Sequence, residues 1–545
     1  MTTYKKKFKL IFLISIVILT SLHYGKLIAQ NEQLSETDQK ILMQAQKFKF
    51  ILETAQKNAL DSFDIEKVSE VAFNAMLKDL DPFSTYFPPE KQKNIDERSK
   101  GSQESVGLDL ASIADTLVLI SIAHSSPADS AGIKTGDKLL FINGENSVRF
   151  SREEALRKLV GDKGSKVSLI IRRGTGNVLQ EFVLSRRDVS IPSVDASFMI
   201  AGTKTAYLKC NRISETTYKD IIESLTELKK KGMKSLILDV RGNTGGQLDE
   251  TCKIVDLFLE GNQKITYTQA RNQNFIYEFK SKKGDPFEKL PVIVIIDANS
   301  SSGSEVIAGS FQDNDRGIII GEQSFGKGLA QSQWKMGDGS GFRLTVASYR
   351  TPSGRNIQKP YKNSELPILD PSAALSTNAE VILQMEELIR KTGGQKSLPL
   401  YQTLKGRTVI GGGGIFPDYY EKKDTITLLT KVLQSKGIFA ETTINFLSKN
   451  RELLEKRYGE NYIKFSSEFV VDSSLLFELK RVAYSKNTWN DQMYSQDLTY
   501  ISHFLKANIS YFLWGNNGLE SVMIDIDKPI KKAILVIPEA EKMIN

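Results

Sequence analysis

The apolar positions along this chain change their period several times, and each change marks a stretch with its own predicted structure. Leu10 to Leu22 is continuously apolar except for Ser and Thr, and it follows the basic stretch Lys5-Lys-Lys-Phe-Lys9. From 35 to 98, Ile41, Ala45, Phe48, Ile51 and Leu52 fall close to one face of a 3.6-residue period. This predicts an N-terminal helical region that packs on the later domains and ends at Pro82 and Pro88-Pro89. Residues 105–187 turn to short β-like runs, Val106 to Leu110, Leu117 to Ile122, Val167 to Arg172 and Leu179 to Leu184. A helix is expected to begin at Ser151, with Glu154 completing a capping box. Residues 195–425 alternate strand and helix. Leu236-Ile-Leu-Asp239, Val292 to Ile296 and Ile318 to Ile320 read as strands buried on both faces, because nothing polar interrupts them. Tyr218, Ile221, Ile222, Leu225 and Leu228 mark one helix face between them. The expectation is an α/β fold, a parallel or mixed sheet covered by helices. Lys359 to Leu404 is less patterned and reads as an insertion. Residues 426–545 show helical periodicity in pieces, with a last apolar run from Ile534 to Ile537 and no chemical motif, so they read as a helical appendage.

Length adds that 545 residues exceed one core and suit about three or four domains. The net charge of +8 comes from 73 basic and 65 acidic residues, part of it in the leader. There is no basic stripe interleaved with aromatics, so nucleic acid is not an expected partner. The leader's apolar run is shorter than the roughly 20 residues that span a bilayer comfortably and fits the core of a signal peptide, with Ala29 as a small residue for cleavage before Gln30. Residues 1–29 are therefore expected to be a signal peptide or, uncleaved, a membrane anchor. In either case the remainder is exported, to the periplasm or the outer face of the cytoplasmic membrane. The two cysteines, Cys210 and Cys252, form no disulfide framework and read as buried thiols, and no spacing suggests a metal site.

The chemistry concentrates between Asn299 and Gln331. A buried strand runs into Asn-Ser-Ser-Ser-Gly-Ser-Glu, so the serines sit where strand turns to helix and where backbone N–H groups are free. A serine nucleophile needs a base. The three histidines, His23, His124 and His503, are remote in sequence, whereas Lys327 follows closely in Gly321-Glu-Gln-Ser-Phe-Gly-Lys-Gly328. The pairing points to a serine–lysine centre. Lysine works as a base only when neutral, which burial favours. Phe325, the flanking glycines and Leu329 suit that, while Glu322 would oppose it if it pointed inward. Gly303 can supply one N–H of an oxyanion hole, and the Gly245-Gly246 pair the other. A phosphate-binding loop is excluded by Gly328, which stands where Ser or Thr would hold Mg²⁺. A lactam-type Ser-x-x-Lys enzyme is excluded because these residues do not share a helix turn.

Leu80-Asp-Pro-Phe-Ser84, Leu238-Asp-Val-Arg-Gly-Asn-Thr-Gly-Gly246, the serine run, Phe325-Gly-Lys-Gly328, Tyr349-Arg-Thr-Pro-Ser-Gly-Arg355 and Gly414-Ile-Phe-Pro-Asp418 occur in this order. Together they resemble the C-terminal processing peptidases, or tail-specific proteases, of peptidase family S41. The resemblance implies a crotonase-like core over 195–425, Ser302 as the nucleophile, Lys327 as the base and Gln331 as the group that orients the lysine. It implies no cofactor and no metal. Family members often carry Ala where Gly303 stands and His where Phe83 stands, neither of which has to move a proton. Residues 105–187 resemble a PDZ domain, with Ser126-Pro-Ala-Asp-Ser-Ala-Gly-Ile133 and Gly136-Asp-Lys-Leu-Leu-Phe-Ile-Asn-Gly144 in the expected order. Such domains hold a C-terminal carboxylate on a Gly-containing loop and pair the peptide as an added strand. Here the loop is Val106, Gly107, Leu108, Asp109 and Leu110, with the Asp109 side chain expected to point away. The implied activity is endoproteolysis near protein C-termini, with the PDZ domain selecting substrates or gating the site. The implied partners are proteins or peptides with free C-termini. An adaptor lipoprotein and membrane association through the N-terminus are compatible with this, and the oligomeric state is not legible. The rival from another class is a catalytically inactive PDZ-based scaffold of the envelope.

Overall fold

The computed structural model describes residues 35–544 apart from 114–115, 149, 174–178, 360 and 362–398. The leader and most of the expected insertion after Lys359 lie outside the described residues. The chain divides into two compact units, Met1–Met76 and Leu77–Asn545. In the first, α1 (Glu36–Asn58) precedes α2 (Ile65–Leu80), which runs into the second unit. Ser35 caps α1 by accepting the Asp38 N–H. The periodic stripe forms the helix, but no α1 residue is buried, and Ile41 and Ile51 are 62% and 65% exposed.

The second unit opens its β-rich module with β1 (Leu108–Ile113), β2 (Thr116–Ile122) and β3 (Lys138–Ile142). Helix α3 (Arg152–Leu159), β4 (Lys166–Arg172) and β5 (Leu179–Ser185) complete it. Ser151 caps α3 by accepting the Glu154 N–H at 3.1 Å. The strands lie antiparallel in the order β1-β2-β3-β4-β5, so β1 is an edge strand.

Next come β6 (Val194–Met199), β7 (Thr205–Cys210), α4 (Thr217–Lys230), β8 (Ser235–Asp239), α5 (Leu248–Asp256) and β9 (Lys264–Gln269). They are followed by β10 (Val292–Ile296), α6 (Gly303–Asp313), β11 (Ile318–Gly321), β12 (Leu329–Lys335), β13 (Gly341–Arg350) and β14 (Tyr419–Tyr420). The central sheet has the order β6-β7-β8-β10-β11-β14, parallel except for β6. Strands β9, β12 and β13 belong to a second, antiparallel sheet that also holds Thr85–Phe87.

Alternation along the central strands explains why they are apolar throughout. Leu236, Leu238, Val292, Val294 and Ile296 face the core that contains α4, α5 and α6. Ile237, Ile293 and Ile295 face the opposite way, onto Ile530, Ala533, Val536 and Ala540. Each fully buried aliphatic side chain contributes roughly 1.5–3 kcal/mol. Those last partners come from the end of the chain. After α7 (Leu428–Ser435), α8 (Ile438–Tyr458) and α9 (Asp491–Met523), helix α10 (Lys528–Met543) covers the second face of the central sheet. The other C-terminal helices share a core of their own, onto which Ile120 of β2 packs. Thr135, in the β2–β3 connection, donates its hydroxyl to the Phe512 carbonyl at 2.7 Å and accepts Arg451 at its own carbonyl at 3.0 Å. The C-terminal region thus touches both the β-rich module and the central sheet. Cys210 and Cys252 are buried and free.

Candidate active site

Strand β10 ends at Ile296 and the chain reaches α6 through a tight turn. Ser302 sits at its end with φ 54° and ψ −114°, a conformation that costs a non-glycine residue about 1–3 kcal/mol unless its surroundings impose it. The neighbours do impose it. Ser300 donates its hydroxyl to the Val240 carbonyl at 2.8 Å, Ser301 to Thr244 at 3.1 Å and Ser304 to Asn243 at 2.8 Å, while the Ser301 N–H reaches the Asn243 carbonyl at 3.0 Å. Those hydroxyls stitch the turn to the loop after β8. Ser302 is the member of the run that lines the adjoining cavity of about 1100 Å³, together with Gly303, Gly245, Gly246, Lys327 and Gln331. The structure therefore brings all the expected catalytic and oxyanion residues to the lining of one cavity.

The two loop glycines differ in what they offer. Gly245 has φ 83°, and a Cβ there would lie 2.5 Å from the Gly303 nitrogen. Its own N–H is taken by Asn243 Oδ1 at 2.8 Å. Of the three expected donors, Gly246 and Gly303 line the same cavity without that side-chain bond.

Lys327 Nζ donates to Gln331 Oε1 at 2.9 Å, and Gln331 Nε2 donates to the Phe83 carbonyl at 2.8 Å. The second bond fixes which end of the amide faces the lysine. The Phe83 ring lies 5.0 Å from Nζ. Burial is the main force pulling the Lys327 pKa below its ordinary value, and the like charge of Arg343 adds to it, while Glu305 and Asp81 push the other way. Arg343 is met by an amide and a ring: Nη2 reaches Gln333 Oε1 at 3.1 Å, and its guanidinium lies over the Phe87 ring.

Glu305, in the first turn of α6, is fully buried. Its Oε2 accepts the N–H groups of Ser302 at 2.9 Å and Lys327 at 2.8 Å. Its Oε1 accepts the Ser324 hydroxyl at 2.5 Å and the Gly326 N–H at 2.7 Å. One carboxylate therefore holds the serine turn and the lysine segment together. Burial raises its pKa, and these four bonds offset part of the rise. The Tyr349 hydroxyl lies 3.1 Å from the Ser302 carbonyl and also bonds that of Lys327, a second tie between the same two segments.

The family profile described as "Peptidase family S41" matches residues 204–363, and that described as "PDZ domain" matches 95–172. A third, a family of unknown function (DUF8443), matches 429–515. A carboxy-terminal-processing protease of Bartonella bacilliformis is 31% identical over 354 residues, which cover 64% of this chain and 80% of that protein. The chain belongs to this family of S41 peptidases. A carboxyl-terminal-processing protease of Picosynechococcus is 34% identical over 282 residues, covering 51% of this chain and 67% of the relative. A solved structure of a photosystem II D1 C-terminal processing protease aligns with 62% of this chain and 90% of its own at 26% identity, with a TM-score of 0.33. The chain is accordingly a serine-type peptidase with a PDZ domain, acting on proteins or peptides.

In this S41 peptidase several residues of the site escaped sequence reasoning. The acid facing the lysine segment is Glu305 rather than Glu322. Phe83 moves no proton, yet its carbonyl orients Gln331. Asp81 shapes that turn by accepting the N–H groups of Phe83 at 2.8 Å and Ser84 at 2.9 Å and the Thr345 hydroxyl at 3.0 Å. Burial works against the Asp81 charge, but the hydrogen bonds win and its pKa falls. The signal was present in the Leu80–Ser84 motif, without any hint of its target.

The PDZ loop residues gather at the start of β1. The Val106 carbonyl accepts the Ala128 N–H at 3.1 Å and the Gly107 carbonyl that of Ala123 at 2.9 Å, while Leu108 and Leu110 are buried in the module core. The Asp109 side chain folds back onto its own strand. Its Oδ1 accepts the Leu110 N–H at 2.8 Å and Arg152 Nη2 at 2.7 Å, while Arg152 Nε bonds the Leu110 carbonyl at 2.8 Å. A peptide adding along β1 at Leu110 would have to replace these bonds.

Proposed function

We propose that this chain is an exported serine endopeptidase that cleaves protein substrates near their C-termini through Ser302, Lys327 and Gln331. The observation that carries the reading is the buried lysine amine held by an oriented amide in the cavity that Ser302 also lines. Neutral Lys327 takes the Ser302 proton as Oγ attacks the scissile carbonyl. The Gly246 and Gly303 N–H groups receive the oxyanion, a contribution of about 10²–10³ in kcat per donor in other enzymes. Protonated Lys327 then returns its proton to the leaving amine, and water, deprotonated by the same lysine, releases the acyl group from Ser302. An amide suits position 331 better than a carboxylate, whose charge would favour the ammonium.

Export is supported by the basic and apolar leader. Recognition or gating by the PDZ domain is supported by the position of β1 at the edge of its sheet and the loop that starts it. Domain limits of 35–98, 105–187, 195–425 and 426–545 remain the working division, with α10 joining the peptidase core. Casein digestion by wild type and by Ser302→Ala tests the reading. Wild-type cleavage that Ser302→Ala abolishes is expected. Near-normal cleavage by Ser302→Ala removes the nucleophile assignment, and no cleavage by wild type favours the scaffold.

A further inference from the structure

We propose that Asp527, at the start of the last helix, is a positioning residue for the peptidase centre, acting through Arg241 on the loop 241–246. The inference rests on the Ser302–Lys327 reading and adds to it a contribution from a segment beyond the matched S41 and DUF8443 regions.

Asp239 ends β8 and is fully buried. The Tyr207 hydroxyl donates to its Oδ2 at 2.7 Å. Arg241 Nε lies 3.0 Å from each Asp239 oxygen, and Nη2 reaches Oδ2 at 2.5 Å. The remaining arm of the guanidinium, Nη1, bonds Asp527 at 2.9 Å to Oδ2 and 3.2 Å to Oδ1. The Arg241 side chain is 6% exposed and that of Asp527 16%. Two carboxylates from distant parts of the chain thus fix one buried, planar cation in place.

The consequence lies immediately downstream. Arg241 is followed by Gly242 and Asn243. The Asn243 carbonyl receives the Ser301 N–H and the Ser304 hydroxyl, and its Oδ1 holds the Gly245 N–H. The Val240 carbonyl on the other side receives the Ser300 hydroxyl. Arg241 is therefore one side-chain anchor, beside Asn243, of a loop that carries Gly246 and is laced to the Ser302 turn. Asp527 is itself held firmly. Its Oδ1 accepts the Ile530 N–H at 3.0 Å as the cap of α10, whose Ile530, Ala533 and Val536 pack on the central sheet. Without the Asp527 charge, the Nη1 arm loses its charged partner in a nearly dry setting, and Arg241 is held by Asp239 alone while the loop keeps its other ties, among them the Gly242 N–H to Asp297 and Asn243 Nδ2 to the Cys210 carbonyl. A displacement of about 1 Å at a reacting centre costs on the order of 10²-fold in rate.

The test uses the full chain with Asp527→Asn, which keeps the helix cap, since Asn caps as well as Asp, and removes the charge. With an unstructured protein substrate, kcat should fall by about 10- to 100-fold. KM should stay within about twofold, the pH midpoint should not move and the melting temperature should change little. Asp527→Glu should recover part of kcat. Lys528→Met, which breaks only the neighbouring surface pair with Asp424, should behave as wild type. An unchanged kcat in Asp527→Asn overturns the proposal. So does a loss matched by the loss of folded protein with no recovery in Asp527→Glu, because that is a fold defect alone. A wild type insensitive to Ser302→Ala would instead overturn the underlying reading.

Discussion

Replacing Glu305 by Gln changes one oxygen to a nitrogen in the most heavily bonded side chain of the site. The four donors around it decide which way the new amide turns. If its nitrogen faced the Ser302 and Lys327 N–H groups, two backbone donors would meet a donor. If it faces Ser324 and Gly326, the Ser324 hydroxyl, which already accepts the Ile415 N–H, can turn and accept the amide with its second lone pair, so the Gly326 N–H is the one backbone donor orphaned, together with the hydroxyl proton that Glu305 had accepted. The second orientation wins. A buried unsatisfied group costs about 1–3 kcal/mol, so stability should fall by about that amount while the ties to Ser302 and Lys327 persist. The electrostatic effect has a definite sign. The Glu305 charge pushes the Lys327 pKa up, and the base works only when neutral, so activity rises with pH through that pKa. Removing the charge lowers the pKa and moves the rising limb to lower pH. The assays are a urea melt followed by tryptophan fluorescence and a pH–rate profile on a fluorogenic peptide. A limb that stays put or moves to higher pH refutes the reasoning, as does stability equal to wild type.

Arg343→Gln should move the same limb the opposite way, to higher pH, because the Arg343 charge pushes the Lys327 pKa down; an unmoved or acid-shifted limb counts against this. Lys327→Arg keeps the charge but cannot become neutral at usable pH, so it should be as inactive as Lys327→Ala in casein digestion. A peptide with an amidated C-terminus should bind full-length Ser302→Ala about 10- to 100-fold more weakly than the free acid, since charge-assisted hydrogen bonds are worth about 1.5–3 kcal/mol. Equal binding in calorimetry would make the PDZ module a spacer.

The legible parts of this molecule are those with short sequence range. Val292–Ile296 announced a strand buried on both faces, and the structure buries every one of its residues. The resemblance named Lys327 and Gln331 as partners four residues apart in one short segment, and their side chains meet at 2.9 Å. The illegible parts depend on partners far along the chain. The Gln331 amide is oriented by Phe83, and Arg241 is gripped by Asp527, pairs that no local pattern links. The serine run gave a cluster without a physical reason to rank its members. The reason lies in three hydroxyls spent on loop carbonyls. The apolar stripe of α1 predicted a buried face, but periodicity only makes a helix amphipathic, and in this structure no residue of that helix is fully buried, Leu52 and Ala55 being partly so. Helix α10 read as part of an appendage because its motif-free sequence says nothing of the sheet face it closes.

The most direct measurement is active-site labelling with a serine-reactive fluorophosphonate, the modified residue being located by peptide mass spectrometry. The account predicts a single adduct at Ser302, formed faster as pH rises and abolished in both Lys327→Ala and Lys327→Arg. An adduct on Ser300, Ser301 or Ser304, or undiminished labelling of Ser302 in Lys327→Arg, would contradict it.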